Sequence, residues 1–327
     1  MDDFLLEVQN LSVHYSDGTK RLKAVDGVSF GLRRGSILAL VGESGCGKTS
    51  IALSLLGLLP DEGNLASGDI FFEGKALGSM ARDDVRRMRG REISMIFQDP
   101  ASGLNPVLTV GQQVEEIIRV HSPASKREAR GVAQDALRRA GLAKPEELAK
   151  RYPYQLSGGM SQRVLIAIAT VLNPKLIVAD EPTSALDVTV QAGILRELER
   201  LRDERGISIL LITHDLGVVA QMADEVIVMY AGRIAEQGPT RDVLRTPRHP
   251  YTWSLLGTLP RLDRERGPLA AIRGVPPDPS ELPDECAFIP RCRKAINTCR
   301  AEPSPPLSEL APGRRAACYN PVVHPEA

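Results

Sequence analysis

The sequence predicts an α/β protein: a sheet flanked by helices, a helical lobe, and a small proline- and cysteine-rich C-terminal domain. Three observations carry this. Short apolar runs alternate with helical patterns along most of the chain. A glycine-rich stretch separates one such run from a helix. The composition also breaks near residue 247: from Pro247 to the C-terminus lie 15 of the 24 prolines and four of the five cysteines. The expected domains are therefore 1–247, with the lobe at about 99–160, and 248–327.

Each element has its own justification. Residues 4–15 and 24–32 alternate apolar and polar side chains and are rich in Val, Phe and Tyr, so they read as strands. Asp17-Gly18 marks the turn between them. Residues 36–41 form an apolar run that enters the glycine-rich loop, and a helix follows over 49–59. Residues 70–72 and 93–97 are further strands. A helical pattern covers 110–140, with Lys126, Arg127, Arg138 and Arg139 outward. Ser157 opens another helix, which runs to Leu172 and stops at Asn173-Pro174. Residues 176–179, 207–213 and 226–229 are buried strands. Between the first two, a helix over 188–202 aligns Val190, Ile194, Leu198 and Leu201 on one stripe. This alternation implies a largely parallel sheet, and the strand-poor stretch 99–160 is the separate lobe.

Composition excludes several classes. Lys plus Arg and Asp plus Glu both number 41 in 327 residues, so there is no basic excess of the kind a general nucleic-acid coat protein carries. Apolar content of 43% and charged content of 25% exclude wholesale disorder. No apolar stretch approaches the roughly 20 residues that span a bilayer. Met1-Asp2-Asp3 is acidic where an export signal would be basic. A cytosolic, soluble chain is the expectation.

Gly42-Glu43-Ser44-Gly45-Cys46-Gly47-Lys48-Thr49 fits G-x-x-x-x-G-K-[ST] between a strand and a helix. Glycines let successive amides turn inward onto phosphate oxygens at the positive end of the helix. Lys48 is placed to neutralise phosphates, and the Thr49 hydroxyl to ligate Mg²⁺. Cys46, near a helix N-terminus and beside Lys48, is expected to have a lowered pKa; the alternative is a position open to any small side chain. Asp180-Glu181 ends a buried strand with two carboxylates. The first can hold Mg²⁺, and the second can act as general base toward water. Leu156-Ser157-Gly158-Gly159-Met160 offers a second set of amide donors at a helix start, or simply a capped helix.

These ordered motifs, spread over about residues 4–245, resemble the ATP-binding cassette (ABC) family, whose LSGGQ signature appears here as LSGGM. The resemblance implies a P-loop ABC-type nucleotide-binding domain with a mixed sheet, flanking helices and a helical lobe. It implies ATP and Mg²⁺ as cofactors. Gly42, Ser44, Gly45, Cys46, Gly47, Lys48, Thr49, Ser50, Gln98 and Asp180 would bind nucleotide, with Thr49, Gln98 and Asp180 on Mg²⁺ and Tyr15 stacked on adenine. Glu181, His214 and Gln98 would be catalytic. Ser157, Gly158 and Gly159 would act in trans on the nucleotide of a second cassette, and Ser184-Ala185-Leu186-Asp187 matches the D-loop, with Asp187 at its end. A chromosome or repair ATPase would carry a coiled coil between loop and signature, which the 109 residues from Lys48 to Ser157 lack. A ribosome-acting cassette protein would usually carry two cassettes and a basic linker.

Cys286, Cys292, Cys299 and Cys318 follow C-x₅-C-x₆-C-x₁₈-C. Disulfides are unusual in cytosolic chains, so this cluster reads as a metal candidate. The tight C-x₂₋₄-C of structural zinc sites is missing; four thiolates also suit a [4Fe–4S] cluster, and four reduced thiols are the alternative. Phe288, Ile289 and Pro290 could shield such a site, and Arg291 and Arg293 offset its charge. Together with Phe97-Gln98-Asp99-Pro100-Ala101-Ser102-Gly103-Leu104-Asn105-Pro106 and His249-Pro250-Tyr251-Thr252, the cysteine tail is similar to the dipeptide/oligopeptide (and nickel) importer ATPase subfamily. Read alone, His249-Pro250-Tyr251 is a turn before a helix. The subfamily resemblance implies an Fe–S cluster on the four cysteines and a peripheral position on the cytoplasmic face of the cell membrane. It also implies a second, different cassette subunit, two membrane permease subunits and an extracytoplasmic solute-binding protein, with no nucleic acid. Peptides are the expected cargo, with nickel or another small solute as alternative.

Overall fold

The computed structural model describes residues 4–16, 18, 20–184, 186–258 and 271–324. Asp17 of the expected turn, Ala185 of the D-loop segment, the Met1-Asp2-Asp3 start and residues 259–270 of the C-terminal extension lie outside them. The chain divides into two compact units. The first comprises Met1–Leu6, Leu32–Ile37 and Phe72–Ile212; the second comprises Glu7–Gly31, Leu38–Phe71 and Thr213–Ala327.

In the first unit, the strands Ile93–Ile96, Leu176–Asp180 and Ser208–Thr213 pair in parallel, with Ile93 opposite Leu176 and Ile177 opposite Ile209. Leu176–Asp180 and Ser208–Thr213 are buried along their whole length, the condition under which strands read as continuous apolar runs. The helical stretch contains Val110–His121, Lys126–Arg139 and Gly158–Thr170. The expected pattern over 110–140 is split at Pro123. Thr109 and Ser125 each start a helix by a capping box with Gln112 and Glu128. Val110, Val114, Ile118, Ala133, Leu137 and Val164 form the buried centre of this helical layer. The helix Val188–Arg205 buries Ile194, Leu198 and Leu201 of the predicted stripe, while Val190 is only half-buried, and Gly206 ends it at φ 66°.

In the second unit, Phe4–Ser16 lies between Arg21–Arg33 and Gly63–Phe72, the last being longer than the apolar triplet 70–72 indicated. The fully buried strand Ile37–Val41 runs parallel to Glu225–Tyr230, with Leu38 opposite Glu225 and Val41 opposite Val228. Ala231 and Gly232, both at positive φ, turn the chain into the antiparallel strand Arg233–Pro239. That strand pairs in turn with Arg314–Ala316, which pairs with Ser308–Ala311. The tail is thus laced onto the sheet by backbone hydrogen bonds. The buried Glu236 carboxylate secures it further, accepting from the Arg248 and His249 amides, both at 2.8 Å, and from Arg314 at 3.2 Å. Burial of a carboxylate is tolerated when it is hydrogen-bonded in this way.

Candidate nucleotide-binding site

In the second unit, Ile37–Val41 delivers the chain into the loop 42–47, and the helix Lys48–Leu55 follows. Gly47 stands at φ 101°, and a Cβ there would lie 2.2 Å from the Ala24 carbonyl oxygen, so only glycine makes this turn. The loop is braced from behind: the Gly232 amide donates to the Cys46 carbonyl at 3.2 Å. Lys48 is buried and folds back over the loop, its Nζ donating to the carbonyls of Gly42 (2.8 Å) and Glu43 (3.0 Å). Ser44, Gly45 and Thr49 face solvent. The Tyr15 hydroxyl donates to Ser50 Oγ at 3.1 Å, and its half-buried ring packs over Gly63, where a Cβ would stand 2.7 Å from it. His214 is exposed just after the strand Ser208–Thr213, and Asp215 behind it caps the helix Leu216–Met222 through the Gly217 and Val218 amides.

Cys46 corrects an expectation. It is buried, and burial raises its thiol pKa; Lys48, 3.6 Å away, opposes this without reversing it. The helix terminus and the lysine predicted a reactive thiolate, but desolvation is the larger effect.

In the first unit, Asp180 ends its strand 3% exposed. Glu181 takes φ 46°, a left-handed conformation uncommon outside glycine, while its amide donates to the Ile212 carbonyl at 2.8 Å. This sharp exit sets its carboxylate beside Gln98, whose Nε2 donates to Glu181 Oε2 at 3.0 Å. Ser184 Oγ donates to the Gln98 carbonyl at 3.2 Å. Gln98, Glu181 and Ser184, picked from three separate motifs, converge. Ser157 caps Gly158–Thr170, its Oγ accepting from the Met160 amide at 3.4 Å. Gly159 is enforced by packing, since a Cβ would meet Val190 at 2.7 Å. Asp187 caps Val188–Arg205 by accepting from the Val190 amide at 3.0 Å. Such an arrangement can present amides to phosphate and a carboxylate to water.

Sequence reasoning missed a second set of contacts to the phosphate loop. The Arg291 guanidinium forks onto the Glu43 carboxylate at 2.6 and 2.9 Å, and the Tyr251 hydroxyl accepts from the Glu43 amide at 3.0 Å. Arg291 therefore does not serve the cysteines as expected, while Arg293 is exposed. Tyr251, Tyr230 and Phe288 pack with ring centroids 4.6 to 5.4 Å apart. His249 caps the helix Pro250–Gly257, its Nδ1 accepting from the Tyr251 amide at 3.0 Å. No sequence signal marks the Glu43 contacts, because Tyr251 and Arg291 lie 208 and 248 positions away from it.

Cys286, Cys292, Cys299 and Cys318 all line one small pocket, together with Phe288 and Ile289; Pro290 is exposed. Burial raises the thiol pKa of Cys286 and Cys292 and pushes Cys318 up to about 11. The charge of neighbouring cysteines adds to the shift at each of the three. Among the described residues, however, no group of three or more His, Cys, Asp or Glu side chains is arranged to hold a metal ion. The four cysteines thus border one pocket, but their side chains do not form the expected cluster site.

Comparison with known proteins places the chain. Residues 25–184 match the ABC transporter family and residues 235–299 the C-terminal region of oligopeptide/dipeptide transporters. The oligopeptide transport ATP-binding protein AppD of Bacillus subtilis is 46% identical over 96% of each chain. The dipeptide transport ATP-binding protein DppD of Escherichia coli is 43% identical over 97% of each. Among solved structures, a dimeric post-hydrolysis state of the ATP-binding cassette MJ0796, bound to ADP and Pi, aligns with 72% of this chain and 99% of its own. Its TM-score is 0.66 and its identity 28%. The cbiO1 subunit of the Clostridium perfringens cbiONQ transporter complex aligns with 74% of this chain and 90% of its own, at TM-score 0.62 and 33% identity. A glycine-rich loop folded around a buried lysine, a carboxylate turned out of its strand onto a glutamine, and full-length likeness to transport ATP-binding proteins lead to one assignment: the chain belongs to the ABC transporter family, as an ATPase of its oligopeptide/dipeptide branch.

Proposed function

We propose that the chain energises uptake of di- and oligopeptides as a peripheral subunit on the cytoplasmic face of the cell membrane. It pairs with a second, different cassette and with two membrane permeases, and an extracytoplasmic solute-binding protein delivers the cargo. The observation that carries this reading is the 43–46% identity, over nearly the whole chain, to oligopeptide and dipeptide transport ATP-binding proteins. Among the described residues no helix is long and apolar enough to cross a membrane, which agrees with separate membrane subunits.

In this reading, the amides of the loop and the following turn, Gly42 to Ser50, and Lys48 receive the phosphates of ATP. Lys48 exchanges its two carbonyl partners for phosphate oxygens. Thr49, Asp180 and Gln98 are assigned to Mg²⁺, which supplies charge neutralisation on the phosphates when bound. Glu181 takes a proton from the attacking water, oriented by the Gln98 amide already in contact with it. His214 contacts the γ-phosphate, and Tyr15 stacks on adenine. Ser157, Gly158 and Gly159 offer their amides to the nucleotide of the partner cassette, and Asp187 fixes the segment that crosses between subunits. Residues 248–327 form a distinct extension, whose four cysteines would hold a [4Fe–4S] cluster as a structural crosslink. What supports this is that all four cysteines border one pocket.

The test is uptake of labelled di- and tripeptides by cells carrying the wild-type subunit or Lys48→Ala in the assembled transporter. Uptake lost with the variant, together with co-purification of two hydrophobic permeases, is expected. Peptide uptake unaffected by Lys48→Ala removes the reading.

A further inference from the structure

We infer that Arg291 and Tyr251 are positioning residues for the phosphate loop, so that the C-terminal extension sets the affinity of the ATP site. This rests on the reading of residues 42–49 as the nucleotide loop.

The geometry is specific to one peptide unit. The Gly42 carbonyl is held by Lys48 Nζ at 2.8 Å, and the Glu43 amide on the other side of the same peptide bond is held by the Tyr251 hydroxyl at 3.0 Å. The Glu43 side chain is held in turn by the Arg291 fork. Arg291 is itself held on several sides. Its side chain is 4% exposed, its Nε donates to the Arg273 carbonyl at 3.1 Å, and its guanidinium lies 5.7 Å from the Tyr230 ring centroid. Its backbone belongs to a tight turn closed by the Cys286 and Phe288 carbonyls and pinned by the buried Phe288 ring.

When Lys48 turns to phosphate, it releases the Gly42 and Glu43 carbonyls. Tyr251 and Arg291 are then the contacts that keep this peptide plane in place while the lysine is away. Without them the loop samples conformations whose amides no longer converge, and apparent affinity falls in proportion to the competent fraction. The planar fork matters as well as the charge, because an ammonium cannot hold both carboxylate oxygens in one plane.

The experiment measures MgATP binding by calorimetry on the full chain in a Glu181→Gln background, comparing Arg291→Lys, Arg291→Ala, Tyr251→Phe and Lys48→Ala. Thermal unfolding without nucleotide is recorded in parallel, and steady-state kinetics are measured in the assembled transporter. Arg291→Lys and Arg291→Ala are expected to weaken MgATP binding about tenfold, a competent fraction of about one tenth. Tyr251→Phe should weaken it about threefold. In the transporter the same loss should appear in KM, with kcat within about twofold, a split that general destabilisation does not produce. Should Arg291→Ala fail to fold, Arg291→Lys and Tyr251→Phe decide. Affinity within about twofold of wild type in both overturns the positioning role. Unaltered binding by Lys48→Ala instead overturns the nucleotide-loop reading beneath it.

Discussion

His249 should make the fold sensitive to mild acid. The imidazole is 4% exposed, its Nδ1 is committed as an acceptor to the Tyr251 amide, and the Phe288 ring lies 6.0 Å away. Burial lowers its pKa from 6.5 to about 4. An unfolded chain takes up this proton as the pH drops through 6.5, while the folded chain refuses it until about pH 4. Between these values the unfolded state binds more protons, so the stability this histidine contributes declines as the pH is lowered, being present in full above 6.5 and lost by about 4. At about 1.4 kcal/mol per pKa unit, the whole swing is about 3 kcal/mol. The assay is urea unfolding of the nucleotide-free chain at intervals from pH 7.5 to 4.5, for wild type and His249→Asn. Asparagine retains a capping acceptor but does not titrate. Since other groups titrate equally in both, the stability difference between the two chains isolates the histidine. The gap should narrow as the pH falls and close or invert near 4.5. A difference that stays constant across the range would refute the argument.

Three further outcomes follow from the site. Glu181→Gln should keep MgATP binding while slowing hydrolysis about 10²–10⁴-fold, because the amide oxygen can still accept from Gln98 but cannot take a proton; near wild-type turnover in the assembled transporter rejects Glu181 as the base. Cys46 should react with iodoacetamide at least about tenfold more slowly in the native chain than in urea, as a buried thiol with a raised pKa must; equal rates contradict its burial. If the four cysteines hold the proposed cluster, anaerobically purified protein is brown, with iron and acid-labile sulfide each about four per chain. Colourless protein with stoichiometric zinc, or with four titratable thiols in this tail, removes the cluster.

What was legible in the sequence was local. Leu176–Asp180 and Ser208–Thr213 could be read because burial on both faces leaves an unbroken apolar run. The helix starts at Ser157 and Asp187 could be read because a cap is a three-residue event. The phosphate loop announces itself because its glycines sit at positive φ, which other residues rarely adopt. The strands Arg233–Pro239 and Arg314–Ala316 could not be read. The hydrogen bonds between these two strands join residues some eighty positions apart, and a buried Glu236 interrupts the apolar pattern of the first. Cys46 and Arg291 were misjudged for the same reason. Neighbours in sequence suggested a lowered thiol pKa and a counter-charge for thiolates, whereas burial and a distant carboxylate decided each case.

The separation of Glu43 and Arg291, 248 positions, bears on how this protein comes off the ribosome. At about 5–20 residues per second, some 12–50 s pass between synthesis of the phosphate loop and arrival of the arginine that braces it. Over that interval the nascent loop carries its lysine and glycines but neither the fork nor the phenol. A ribosome-bound chain should therefore hold ATP weakly even after its central strands have formed. On the proposed positioning role, full nucleotide affinity is reached only when the tail has threaded onto the sheet, late in biosynthesis.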